Sequence, residues 1–331
     1  MNTPLELSGT GHAIGSRVIR NADVAMSLGL PQDWFQRRTG IVERRATDAH
    51  ESVVTLAGEA VTAALKDARL SPDDLGHETV LLHIQNGPTH LTPSAGAVLS
   101  GHLGLKRVRV LGIDGACAEP VAALEVAETL LAMGRCRRVI LSAAADFLWA
   151  VDPKDLGTAG LFGAGAGAAI LSAQPTQGTP LAIRAIRWET HSEQWELGVA
   201  PIHAKHPEDS AVRLEVGYYT MQGMALARFG KSTVPALIRA TMKEAGWHPE
   251  GVDLLLAHQP NVRLLTMVSR ELGFSASAVP TPVSHLGNMG PASLLVNLSL
   301  ARHEGRMPPG TKALLTTFGV GFSCGAAAIE T

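Results

Sequence analysis

Aromatic residues make up only 4% of this 331-residue chain, and cysteine occurs three times. Three thiols far apart in sequence build no disulfide framework, so the fold must rest on its apolar core and a reducing cytoplasm is the expected setting. Lys and Arg nowhere gather into a run: 28 of them against 30 Asp and Glu leave a net charge of −2. Without a basic face or basic residues interleaved with aromatics, nucleic acid is not an expected partner. No apolar run approaches the length of a membrane span, and Met1 to Ser16 has neither the charged start nor the apolar centre of an export signal. A soluble, unexported protein without membrane contact is therefore expected. What the chain has in quantity is apolar residues, 46%, enough for a large core, and 34 glycines, which point to close-packed elements and tight turns.

The order of parts in the first half returns in the second. A helix over about Val53 to Ala68 leads to Leu70-Ser71-Pro72-Asp73, a strand from Thr79 to His83, then Gln85-Asn86. Later a helix leads to Trp247-His248-Pro249-Glu250, the strand Leu254 to Leu256, then His258-Gln259-Pro260-Asn261. Leu103-Gly104 leads through a strand to Gly115-Ala116-Cys117-Ala118 and a helix, as Leu272-Gly273 leads to Gly287-Asn288-Met289-Gly290 and a helix. Phe162-Gly163-Ala164-Gly165 is echoed by Phe318-Gly319-Val320-Gly321. Matches in one order imply a duplicated mixed α/β unit, with halves 1–175 and 176–331. Equivalent loops of the halves should then meet about a pseudo-twofold axis.

Cys117 stands at a strand-to-helix turn. Val108, Val110 and Ile113 read as a buried strand; Pro120 suits a first helical turn, and Val121, Leu124, Ala127 and Leu131 continue at helical spacing to a stop at Gly134. A thiol there faces open backbone N–H groups and the positive helix end, which lowers its pKa and can hold an oxyanion. An unpaired cysteine is otherwise a small buried hydrophobe. His258 ends an apolar strand, and Asn288 follows a glycine at the matching loop. An imidazole and a carboxamide can jointly donate to an oxygen that becomes negative, beside a sulfur nucleophile.

These residues resemble the β-ketoacyl-acyl-carrier-protein synthase III group of the thiolase superfamily, from Gly9 to about Ile329. The active cysteine after small residues is matched by Gly115-Ala116-Cys117-Ala118, the His-Gln-x-Asn motif by His258 to Asn261, the Gly-Asn motif by Gly287-Asn288, and the glycine-rich end by Phe318 to Gly325. Asp33 to Ile41 resembles the family's tunnel entrance. The resemblance implies a thiolase-like α/β fold with duplicated halves in α-β-α-β-α layers. It implies acyl transfer from a thioester to Cys117, then decarboxylative condensation with a malonyl-type carrier thioester, with His258 and Asn288 stabilising the enolate. Backbone N–H groups of Cys117 and Val320 would form the oxyanion hole. Trp34, Arg38, Gly223 and Asn261 would line the pantetheine or CoA tunnel, and Thr92 and Glu119 the acyl pocket. The implied partners are acyl-CoA or acyl carrier protein and a second copy of the chain, with no metal or other cofactor.

Departures accompany the matches. Cys117-Ala118-Glu119-Pro120 puts a carboxylate beside the nucleophile, where it either complements the helix dipole or meets substrate. Asp155-Leu156-Gly157-Thr158 has leucine where primer-using members carry the arginine that packs on the CoA adenine, which favours a carrier-bound donor or weak CoA binding. Gly163 to Gly167 lacks the order of a dinucleotide loop and reads as tight packing at the junction of halves. His203 and His206 read as a solvated pair, and Trp188 and Trp195 as candidates for the acyl pocket. Two other chemistries stay open: acyl transfer to an alcohol or amine with His258 as general base, and thioester hydrolysis.

Overall fold

A computed structural model describes residues 5–87, 90–114, 116–173, 178–205 and 213–331. The expected boundary between halves, at 175/176, lies outside these residues, as do Gly115 and His206.

The main sheet has nine strands. They are β1 (Leu5–Ile14), β2 (Thr79–Asn86), β3 (Arg109–Ile113), β4 (Arg138–Ala145), β5 (Gly165–Ser172), β6 (Thr179–Thr190), β7 (Leu254–Ala257), β8 (Lys312–Gly319) and β9 (Ser323–Glu330). Their order across the sheet is β7-β8-β9-β6-β1-β5-β4-β2-β3. The β2–β3, β2–β4 and β7–β8 pairs are parallel and the rest antiparallel. The seam is narrow among the described residues: there β1 meets β6 through Leu5–Leu7 against Thr179–Leu181. On either side of it the order repeats, β3-β2-β4-β5-β1 and β7-β8-β9-β6, except that β3 has no counterpart. The segment after Leu272-Gly273 instead makes a short 3-10 turn over Ala276–Ala278.

Five of the helices among the described residues bear on the site: α1 (Val53–Asp67), α2 (Glu119–Ala132), α3 (Gly223–Ala245), α4 (Val262–Leu272) and α5 (Ala292–His303). Helices α2 and α5 lie in the middle and touch strands of both half-sheets. A helix in that position must be apolar nearly all round, and α5 is: Leu294, Leu295, Val296 and Leu298 are buried, as are the small polar Ser293 and Ser299. Together with Leu124 and Leu131 of α2, Leu82 of β2, Leu256 of β7 and Leu315 of β8 they form the central core. Helix α1, begun by a capping box between Ser52 and Thr55, covers the outer face of β1 and β5, while α3 covers β6 and β9 and α4 packs on α3. No helix among the described residues is long and apolar enough to cross a membrane.

Two features bear on the site. Strand β3 is not the buried strand its apolar residues suggest: it is the sheet's edge, and Leu111 is 48% exposed. Alternation alone does not reveal that one flank lacks a neighbour. The glycine-rich run does pack tightly: a Cβ on Gly163 would lie 2.2 Å from the Leu286 carbonyl oxygen, and one on Gly167 2.6 Å from the Val296 nitrogen.

The loop that carries this run is anchored from within. Arg44, 5% exposed, donates to the Asn21 carboxamide oxygen and, at 2.6 Å, to the Ala159 carbonyl. Asn21 Nδ2 donates to the carbonyls of Ile41 and Gly160, each at 3.0 Å. Burial pulls the Arg44 guanidinium down to about 10, still protonated at neutral pH. Replacing Asn21 with Ala strands two buried carbonyls and one arm of this cation, so we expect a loss of about 3 kcal/mol in chemical denaturation. An unchanged midpoint would show that the brace is slack.

Candidate active site

Cys117 lies in the turn between β3 and α2, one residue before the helix cap Ala118. Its turn is held down by β8, where Thr317 Oγ1 donates to the Ala118 carbonyl at 2.8 Å. At the end of β8, Gly319 rests against the nucleophile: a Cβ there would sit 2.8 Å from Cys117 Cβ. Only glycine allows that approach.

His258 follows β7 and extends its pairing, with its N–H donating to the Thr316 carbonyl at 2.7 Å. The ring is 3% exposed and meets Phe318 edge to face at 5.6 Å. The next residue, Gln259, is wholly buried and structural, donating to the Ala257 and Pro280 carbonyls and accepting from the Val283 N–H. Asn288 precedes α5 and bridges to Phe162, giving its N–H to the Leu161 carbonyl and accepting from the Gly163 N–H. Its Oδ1 accepts from the Gly290 N–H at 2.9 Å. The carboxamide is thereby fixed with its oxygen engaged and its N–H pair as the group left to present.

Cys117, His258 and Asn288 line one cavity of about 610 Å³, with Ala116, Gly319 and Val320. Its wall includes Phe147, Phe162 and Tyr219, whose ring centres lie 5.3 to 5.6 Å apart in edge-to-face contact. Nothing in the spacing of Phe147 and Tyr219 sets them apart from core residues, and Phe162 is legible only as part of the repeated Phe-Gly run. Trp34, Arg38, Gly223 and Asn261 also line the cavity, as does Leu156. The Arg38 guanidinium lies 3.9 Å over the Trp34 ring, and Asn261 Oδ1 caps α4 by accepting from the Leu264 N–H.

Four residues expected at the acyl pocket are not among those that line this cavity. Thr92 is exposed on the surface of its own chain. Trp188 and Trp195 are more than half exposed, the first because its indole N–H reaches Glu125 on α2. Glu119 turns back onto the backbone N–H groups of Ala116, Ala118 and itself, the local partners that an acid at the first helical position finds first. Its Oε2 is buried without a hydrogen-bond partner, and burial raises its carboxyl.

Glu119 also overturns the expectation of a thiol made acidic by the helix end. The amides that would stabilise a thiolate already face a carboxylate. Burial pushes the Cys117 thiol up to about 12, and Glu119 adds to the rise. The Tyr219 phenol is raised by burial and by Cys117. Burial also drives the His258 imidazole down to about 3, opposed by the Gly290 backbone. At neutral pH the site therefore holds a neutral thiol beside a neutral ring.

Residues 111–190 match the family model 3-Oxoacyl-[acyl-carrier-protein (ACP)] synthase III, and residues 242–331 match the model of its C-terminal part. The chain is 32% identical over 336 residues to the β-ketoacyl-[acyl-carrier-protein] synthase III of Nitratidesulfovibrio vulgaris, covering all of both chains. It is 31% identical to synthase III 2 of Streptomyces coelicolor, over 98% of this chain and 92% of that one. The crystal structure of the synthase III from Aquifex aeolicus superposes with a TM-score of 0.87 at 28% identity, over 99% of this chain and all of that one.

The titration pattern has consequences in both directions. Cys117 favours the folded state below its ordinary value of 9.0, and that contribution is lost as pH rises toward about 12. His258 contributes above 6.5, and loses its contribution as pH falls toward about 3. We expect iodoacetamide labelling of Cys117, followed by peptide mass mapping, to keep accelerating above pH 9.0, and Glu119→Gln to speed it severalfold at fixed pH. A rate that levels off near neutral pH would contradict both statements.

Proposed function

The chain belongs to the 3-oxoacyl-acyl-carrier-protein synthase III family, and on that footing we propose that it condenses acyl and malonyl-type thioesters through Cys117, His258 and Asn288. The observation that carries this assignment of roles is the shared cavity, with Asn288 Oδ1 engaged by Gly290 and its N–H pair left for substrate.

In the first step the Cys117 sulfur bonds to the donor's thioester carbonyl carbon, the donor's C–S bond breaks, and the departing thiol takes up the proton that Cys117 gives up. N–H groups of Cys117 and Val320 hold the intermediate's oxyanion. In the second step the malonyl group loses carbon dioxide, and the electron pair of the broken C–C bond becomes an enolate whose oxygen His258 and Asn288 stabilise. The enolate carbon then attacks the acyl-cysteine, the C–S bond breaks, and the released sulfur regains a proton. Loss of carbon dioxide creates the carbanion without a strong base, so neutral donors suffice. These are heterolytic transfers that call for no redox cofactor. A neutral, strongly depressed imidazole suits a donor better than the general base that an alcohol or amine acceptor would need.

Leu156 at the cavity and Arg38 already stacked on Trp34 favour a donor held by a carrier protein, or weak CoA binding. The unpaired edge of β3, with Leu111 exposed, supports a homodimer, across which the Thr92 loop would reach the partner's pocket. Three free cysteines fit a reducing cytoplasm, and the altered motifs fit a specialised, polyketide-like starting role.

Intact-mass measurement with acyl-CoA and acyl-carrier donors should show acyl addition that Cys117→Ala abolishes, with the carrier-bound donor preferred. Asn288→Ala should cut carbon dioxide release from a malonyl-carrier substrate by about 10²–10³-fold while leaving Cys117 acylation in place. Acylation that survives Cys117→Ala, or turnover of an alcohol or amine without carbon dioxide, would overturn the assignment.

A further inference from the structure

Strands β6 and β9 gather a second group of reactive side chains outside the cavity. In their antiparallel register Cys324 stands opposite Glu189, and Ser323 opposite Thr190. His191, two residues beyond Glu189, completes a cluster with them: one oxygen, one nitrogen and one sulfur atom lie within 4.8 Å of one another. Glu189 Oε1 is 3.0 Å from His191 Nε2 and 3.9 Å from Cys324 Sγ. A tetrahedral zinc ion with bonds of about 2.3 Å to sulfur and about 2.0 Å to nitrogen and oxygen puts its ligand atoms roughly 3.3–3.5 Å apart, close to this spacing.

The surroundings fit ligation in two further ways. Glu193 Oε1 approaches the other ring nitrogen, His191 Nδ1, at 3.6 Å, the arrangement by which a carboxylate fixes the tautomer of a metal-bound imidazole. The ring is also seated edge-on against Phe229 and Phe322, at 5.1 and 5.9 Å. Cys324 is 1% exposed, and that burial first and the facing Glu189 carboxylate second disfavour a thiolate. A divalent cation between them reverses that relation.

We propose that Glu189, His191 and Cys324 form a binding site for a borderline-soft divalent cation of the zinc and cobalt class, with solvent as fourth ligand. Binding forms metal–oxygen, metal–nitrogen and metal–sulfur bonds and releases the Cys324 thiol proton to water. No electron is transferred. The His191 backbone N–H already donates to the Phe322 carbonyl at 2.9 Å, so the ion fastens the end of β6 to the turn that follows Val320. None of the three ligands lines the Cys117 cavity; His191 packs on Phe322, which does.

The test uses the full chain carrying Cys117→Ala, so that the cavity thiol cannot bind metal. Titrating the metal-free protein with cobalt(II) should give one ion per chain and a near-ultraviolet thiolate-to-cobalt band, which zinc erases. Cys324→Ser should abolish the band and Cys136→Ser should leave it. Because Cys324 is buried, Glu189→Gln and His191→Gln serve as milder variants, each expected to weaken binding about 10–100-fold. Zinc should raise the thermal midpoint of the parent and not that of Glu189→Gln. A band that persists in Cys324→Ser, or the absence of one-to-one binding in the parent, would overturn the proposal.

Discussion

Backbone meets backbone where the two halves of this protein touch, and the active cavity exists because nothing larger than hydrogen projects there. Gly163 lies against the Leu286 carbonyl, Gly167 against the start of Val296, and Gly319 against Cys117 itself. Each approach draws a loop of one half toward a loop of the other. The N–H of Gly163 and the carbonyl of Asn288 can then bond directly, and Phe162 bridges to Asn288. Bulkier residues would push the loops apart and leave thiol, imidazole and carboxamide in separate pockets.

Bringing those groups together in a space walled by Phe147, Phe162 and Tyr219 removes them from water, and dehydration governs their charge. Neutral forms of Cys117 and His258 follow from burial, to which Glu119 adds at Cys117 and which the Gly290 backbone opposes at His258. Reactivity must then be generated when substrate arrives, since the thiol and the imidazole rest uncharged. Hydrogen-bond donors oriented in advance suit such a setting: they keep their direction without solvent and need no reorganisation as charge develops.

How much of this could be read from the chain depends on how local the cause is. Helix α1 was legible because its cap and its apolar stripe lie within the segment itself, from Ser52 to Leu65. The convergence of Cys117, His258 and Asn288 was legible through the repeat, which ties distant loops to equivalent positions. Strand β3 was misjudged because its exposure depends on what stands beside it. Glu119 had two readings because one torsion decides whether its carboxylate enters the cavity or folds onto the amides at the helix start, and it takes the second course. The aromatic wall and the Glu189, His191 and Cys324 group arise from strand register and from packing across the chain, and no short stretch of sequence records either.

The glycine contacts also divide the molecule by its capacity to diversify. Along them a new side chain on one half demands a matching retreat on the other. At the mouth, Leu156 and Met224 border the cavity while facing solvent, and neither carries the fold. New specificities can therefore be explored one residue at a time at the rim while the glycine contacts stay as they are.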